Sequence, residues 1–262
     1  MCRDDALTYL QFSGYNVIAL PREGIEPLMV LAGQDTSLRF LGQLTEFLFN
    51  PRAAPTIVRD DPTNTISGKT SSKMAADAGL ALSDRFAQAL GGVGGKLSAH
   101  YRHAQSVQIT FEKPLVDAVS PQAIDDYLAI ADVKPDTLLT RARRAFIISE
   151  TIKSRSFGVV AFDEKGQALS IEAAGPQDSV GGNVEVTADK KSANTLYYRG
   201  SRWLRFGFKA LKLSCDVTTG SARAELTDRK QVMRGSSTRE LVVPPFIFAA
   251  DNLVPRIYGM EG

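Results

Sequence analysis

Few of the side chains that could carry chemistry in this sequence are placed to do so. The chain of 262 residues has two histidines, His100 and His103, and two cysteines, Cys2 and Cys215. Both histidines lie in Leu97 to Phe111, where apolar and polar residues alternate. A strand of that pattern sends them to opposite faces, which makes them poor joint metal ligands or catalytic partners. No zinc spacing, GxSxG turn or Cys–His pair with an orienting group occurs. The carboxylates cluster no further than neighbouring pairs such as Asp60-Asp61 and Asp125-Asp126. Gly91-Gly92-Val93-Gly94-Gly95 follows a helical pattern and lacks a Gly-Lys-Ser/Thr ending, so it reads as a hinge and not as a phosphate loop. No residue stands out as a nucleophile or base, so the expectation is a non-enzyme with no metal site, with an enzyme kept as a third option that substrate screening would find.

Three other stretches suit surfaces better than catalysis. Cys2, beside the initiator Met, is accessible to fatty acylation, which would change how the chain meets a membrane. Leu196 to Val217 interleaves Tyr197, Tyr198, Trp203, Phe206 and Phe208 with Arg199, Arg202, Arg205, Lys209 and Lys212. Such a stretch fits nucleic-acid stacking or an anionic membrane surface, or simply a strand with one aromatic core face and one solvated basic face. The last stretch is Leu241 to Gly262, an apolar tail behind the polar segment Asp228 to Arg239. Its anchors Phe246, Phe248, Ile257 and Tyr258 would leave a large apolar patch in water unless they covered something. Burial of Phe246, Phe248 and Ile257 would contribute about 1.5–3 kcal/mol each, an affinity that holds while the tail is tethered and is lost after a cut. Pro244, Pro245 and Pro255 exclude a central strand, which predicts an extended strap.

The elements that must position these residues are a mixture. Tyr15–Leu20, Leu28–Leu31 and, more weakly, Ser37–Leu44 read as strands, after a short helix over Ala6–Phe12. Asn50–Pro62 reads as loop or edge strand, and Thr63–Ser72 as an exposed strand. Met74–Leu90 is the clearest helix, with Ala75, Ala78, Leu82, Phe86, Ala89 and Leu90 at three- and four-residue steps. Leu97–Phe111 reads as one long strand. Ser120-Pro121 opens a second helix, with Ser120 as its cap and Asp125 and Asp126 near its positive end. Phe146–Ile148 and Phe157–Phe162 flank the polar Lys153–Ser156, which predicts a hairpin, and Asp163–Gly166 predicts a second turn. The strands that follow, including Val184–Ala188, extend an antiparallel meander. The expected class is therefore α+β.

Composition sets the outer bounds. Hydrophobic residues make up 44% and charged residues 23%, ordinary for a globular protein. A net charge of +2 gives no global preference for nucleic acid, so any basic function needs local clustering. No apolar stretch reaches the roughly 18 residues of a membrane helix, and the opening Met1-Cys2-Arg3-Asp4-Asp5 lacks the apolar region of a secretion signal, so the chain is expected to be cytoplasmic when made.

The opening of the chain resembles that of the bacterial gasdermins. The resemblance rests on Asp5-Ala6-Leu7-Thr8-Tyr9-Leu10, Ser13 through Arg22, and Gly24-Ile25-Glu26-Pro27-Leu28, with Cys2 before them. It implies a gasdermin N-terminal-domain-like fold: a twisted, mostly antiparallel central sheet with flanking helices, and a short C-terminal inhibitory strap. It implies a pore-forming domain over residues 1–235 and an autoinhibitory peptide over 236–262. A caspase-like protease would cut the region of Arg229, Lys230, Arg234 and Arg239, and the inactive monomer would then assemble on the inner cell membrane into a homo-oligomeric β-barrel pore. The implied role is cell death in antiphage defence, with membrane lipids as partners, no nucleic acid, and no cofactor beyond a fatty acyl (palmitate) group on Cys2. Arg199, Arg202, Arg205, Lys209 and Lys212 would then meet anionic headgroups. The competing reading is a nucleic-acid- or partner-binding β module built on residues 197–212.

Overall fold

The computed structural model describes residues 15–34, 37–49, 51–69, 73–90, 97–98, 101–135, 137–142, 144–169, 184–188, 195–216, 221–225, 247–248 and 255–256. In chain order the strands are β1 (Asn16–Arg22), β2 (Met29–Gln34), β3 (Ser37–Gln43), β4 (Leu48–Phe49), β5 (Val58–Pro62) and β6 (Ile66–Lys69). Helix α1 (Lys73–Leu90) follows, then β7 (Ser106–Phe111), β8 (Leu115–Ala118), α2 (Pro121–Ala129) and β9 (Asp132–Val133). The chain continues with β10 (Arg144–Phe162), β11 (Val184–Ala188), β12 (Leu196–Asp216) and β13 (Ser221–Glu225), and β14 (Ile247–Phe248) and β15 (Pro255–Arg256) lie in the tail. Two strands dominate: β10 has 19 residues and β12 has 21, against the five or six of an average strand. They are neighbours in a mostly antiparallel sheet.

The chain divides into two compact units, and β10 and β12 supply strand to both. In the first unit (residues 1–24, 60–116 and 152–207), Phe157 to Phe162 of β10 pair antiparallel with Phe111 to Ser106 of β7. β6 pairs with β7 in turn, and β11 pairs with the start of β12, Val184 opposite Gly200. The core here is aromatic. Phe86 of α1 sits with its ring centroid 4.8 Å from Phe157 and 5.4 Å from Phe111, Phe111 stacks on Phe206 at 4.0 Å, and Phe157 stacks on Tyr198 at 4.9 Å.

In the second unit (residues 25–59, 117–151 and 208–262), Arg144 to Ile147 of β10 pair with Gly33 to Val30 of β2, which pairs with β3. The end of β12 pairs with β13, Lys212 opposite Glu225. Ile124, Tyr127 and Leu128 of α2 pack with Leu28, Val30, Leu48, Ala145, Ile147, Leu211 and Leu213 into an aliphatic core.

The fold agrees with the α+β expectation, with several local corrections. Leu97–Phe111 is not one strand. Leu97 and Ser98 are helical, Tyr101 to His103 form a turn, and pairing begins only at Ser106. The cause is Asp84 of α1, a buried carboxylate that accepts from the backbone N–H of Leu97 (2.9 Å) and of Ser98 (3.1 Å) and from the Ser98 hydroxyl. It caps that turn as an N-cap side chain would, and alternation alone does not reveal such a partner. His103 is exposed, and His100 lies outside the described residues.

Lys153–Ser156 is not a hairpin turn but the middle of β10. The segment lacks the Gly, Asn, Asp or Pro that a tight turn demands, and its polar groups find partners inside the sheet. In α1, Phe86 and Leu90 are buried as the spacing predicts and Ala89 is half-buried, Ala76, Gly79, Leu80, Ser83, Asp84 and Ala87 are buried as well, and the side chains of Ala75, Ala78 and Leu82 lie outside those described. Ser120 precedes α2, but its side chain makes no capping hydrogen bond, and no acidic residue lies in the first turn. The turn at Asp163 stands as expected: its Oδ1 accepts from the N–H of Lys165 (2.9 Å) and of Gln167 (2.8 Å).

Candidate functional site

The aromatic–basic stretch is a single strand, β12, and its side chains separate by burial. Tyr198, Phe206 and Phe208 are buried, whereas Tyr197 and Trp203 are half-buried. Base stacking needs open aromatic faces, and the three buried rings offer none. Gly158 of β10 makes room for Tyr197. A Cβ on that glycine would sit 2.8 Å from the tyrosine ring, so only glycine lets the ring lie over the neighbouring strand.

The five basic residues of β12 do not form one surface. Arg199, Arg202 and Lys212 are exposed. Lys209 is neutralised across the sheet by Glu150 of β10, its Nζ 3.0 Å from Oε1 and 3.1 Å from Oε2. Arg205 is only 7% exposed in this conformation. A guanidinium held inside the fold cannot reach a lipid headgroup from this conformation. Arg155, the exposed residue in the middle of β10, joins the basic set instead, with its guanidinium carbon 5.3 Å from the Trp203 ring centroid.

The middle of β10 was missed by sequence reasoning as a site. Ser154 Oγ shares its proton between the carbonyls of Ser156 (2.8 Å) and Glu112 (3.1 Å), and Ser156 Oγ donates to Glu112 Oε2 (3.2 Å). Lys153, buried, places Nζ 2.7 Å from Asp60 Oδ1 of β5. The available signal was a run of four polar residues without Gly, Pro, Asn or Asp.

Burial perturbs three tyrosines. That of Tyr101 is pushed up to about 12 by desolvation. Desolvation also raises Tyr198, with smaller contributions from Tyr101 and from the Asp84 carboxylate, and it raises Tyr127. None of these groups is poised to exchange protons near neutral pH. Among the described residues, no group of three or more His, Cys, Asp or Glu side chains could hold a metal ion, and no helix is long and apolar enough to cross a membrane, which leaves strands untouched by that statement.

Cys2, Phe246, Ile257, Tyr258, Arg229, Lys230, Arg234 and Arg239 lie outside the described residues, as does the boundary between residues 235 and 236. Phe248 is described in its backbone alone. It belongs to β14, where it lies opposite Pro255 of β15.

Comparison with known proteins gives a consistent result. Residues 18–221 match the model of the Bacterial Gasdermin Family. A gasdermin from a Vitiosangium species is 34% identical over 220 residues, covering 81% of this chain and 82% of that protein. A gasdermin from Lysobacter enzymogenes is 30% identical over 220 residues, with 81% of each chain covered. Among solved structures, a bacterial gasdermin from Bradyrhizobium tropiciagri superposes with a TM-score of 0.57 at 17% identity, covering 84% of this chain and 90% of that one. That likeness supports the fold.

Proposed function

The chain belongs to the bacterial gasdermin family, whose members are pore-forming proteins, and from that premise we propose that it is held inactive by its own C-terminal segment and released by proteolysis. A protease of the caspase type cuts in the segment around Arg229, Lys230, Arg234 and Arg239. Residues 1–235 then leave the peptide 236–262, gather on the inner face of the cell membrane, and assemble from cytoplasmic monomers into a homo-oligomeric β-barrel. The outcome is cell death, as a defence against phage. A fatty acyl group on Cys2 assists: one chain gives marginal, reversible membrane attachment, which raises local concentration without forcing insertion.

The observation that carries this reading is the pair of long neighbouring strands, 19 and 21 residues in β10 and β12. A tilted barrel strand crosses a bilayer in about 9–11 residues, so each has length to spare. Strands can cross only when closed into a barrel, because lipid offers no partner to an open edge. The exposed Arg199, Arg202 and Lys212 supply attraction to anionic headgroups, about 1 kcal/mol per cation near such a surface.

The test is leakage. Cutting the chain once between Asp228 and Glu240 is expected to make it permeabilise dye-loaded liposomes of anionic lipid, while the uncut chain leaves them intact. A cut protein that stays in solution and spares the liposomes would refute the proposal. Salt-dependent binding to RNA or DNA without leakage would favour the β-module alternative at residues 197–212.

A further inference from the structure

The centre of β10 holds a charge where a charge is unfavourable. The Lys153 side chain is 8% exposed, and its ammonium lies 2.7 Å from Oδ1 of Asp60, whose own side chain is 64% exposed. Asp60 has φ +59°, in the left-handed region that non-glycine residues seldom enter. Lys113, with φ +43°, is a second such residue, and it directly follows Glu112, the residue that receives the hydroxyls of Ser154 and Ser156. Two strained backbone positions therefore flank one polar knot in the first unit, beside the residues that interrupt the apolar run of β10. Strain of this kind persists only where the surroundings over-determine it, and it concentrates at switching and functional positions.

We propose that the Asp60–Lys153 ion pair is the catch that keeps β10 in its resting arrangement, and that its rupture is a step in releasing the strand toward the membrane. The inference rests on the pore-forming reading above. Its physical content is an asymmetry. Burial of the Lys153 ammonium costs hydration, and the Asp60 carboxylate offsets that cost. Any conformation in which β10 moves away from Asp60 and opens to water returns the lost hydration to Lys153. Asp60 thus favours the resting state, while the buried charge of Lys153 favours departure from it. The two partners should therefore act in opposite directions on release of the strand.

The experiment uses the full chain, uncut and cut once between Asp228 and Glu240, with dye-loaded liposomes of phosphatidylglycerol and phosphatidylethanolamine. Asp60→Asn removes the carboxylate that faces the ammonium, so the uncut protein should melt at a lower temperature and the cut protein should leak dye several-fold faster than the parent. Lys153→Met removes the buried charge and leaves Asp60 in solvent, so it should melt no lower and leak several-fold slower. Asp60→Glu, which keeps the carboxylate, should return leakage toward the parent rate. Hydrogen exchange on the uncut chain provides a readout independent of pores: amides of residues 58–61 and 153–157 should exchange faster in Asp60→Asn and not in Lys153→Met. Leakage moving in the same direction for both variants, or exchange unchanged by Asp60→Asn, would overturn the catch. If the cut parent itself does not leak, the pore reading fails and hydrogen exchange alone decides: local acceleration in Asp60→Asn sustains the catch, and its absence removes it.

Discussion

The consequential residues are polar groups buried with partners. Asp84 serves three donors at once, the N–H groups of Leu97 and Ser98 and the Ser98 hydroxyl. Asp84→Ala leaves the two backbone donors unpaired, and a loss of about 1–3 kcal/mol in unfolding free energy is expected from denaturant titration. Tyr101 provides a titration of known sign. Its folded value stands near 12 against an ordinary value of 10.0, because burial disfavours the phenolate. The unfolded chain therefore releases that proton first, so the stability from this group is intact below pH 10 and is lost as pH climbs from 10 toward about 12. Tyr101→Phe should flatten the alkaline limb of a stability–pH curve. An unchanged limb would show that other groups govern it. Neither residue was legible as important in the sequence, where one is a helical aspartate and the other a strand tyrosine; their burial exists only once α1 meets the chain that follows it.

At the scale of elements, α1 and the long strands were legible in kind and misread in detail. Helical spacing located Met74–Leu90 to within one residue of the observed start, Lys73. The stretch Leu196–Val217, open in the sequence between a stacking surface, a membrane surface and a two-faced strand, is one strand in β12, with Tyr198, Phe206 and Phe208 as its buried rings. β10 was split at Lys153–Ser156 because polarity was taken for a turn. The segment holds no Gly, Pro, Asn or Asp, and its two serines, which could serve a turn, instead bond within and beside the strand. Phe86 tests how α1 is fastened. It meets Phe111, Phe157 and Phe206, and Phe86→Ala should cost about 3–5 kcal/mol while leaving the slope of denaturant unfolding unchanged. A cost below about 1 kcal/mol would mean that the aromatic cluster is not what holds the helix.

At the scale of the whole molecule, the proposed latch is open to a direct test. A chain stopped after Arg239 should kill the cells that express it if residues 241–262 are a latch, and should merely misfold if they complete the core; viability and soluble yield distinguish the two. Cys2→Ala should lower toxicity without shifting the melting temperature, because a single acyl chain contributes membrane affinity and no packing. Unchanged toxicity at equal expression would remove the lipid from the mechanism. The basic surface also takes its form at this scale. Of the five cations grouped by sequence, three are exposed, while Lys209 is paired to Glu150 and Arg205 is enclosed.

By itself the sequence determined the α+β class, the existence and type of most described elements, and, through the residues of its opening, the family. These follow from local periodicity and from residue identity, which need no knowledge of distant partners. Only the tertiary structure decided that Asp84 converts the start of a predicted strand into a capped turn. It likewise decided that Lys153, Ser154 and Ser156 stay inside β10 because Asp60 and Glu112 receive them, and that Arg205 is withheld from the surface. Each of these depends on a group from another part of the chain arriving within hydrogen-bond or packing distance. The free energy of a buried polar group is set by that partner and not by its neighbours in sequence.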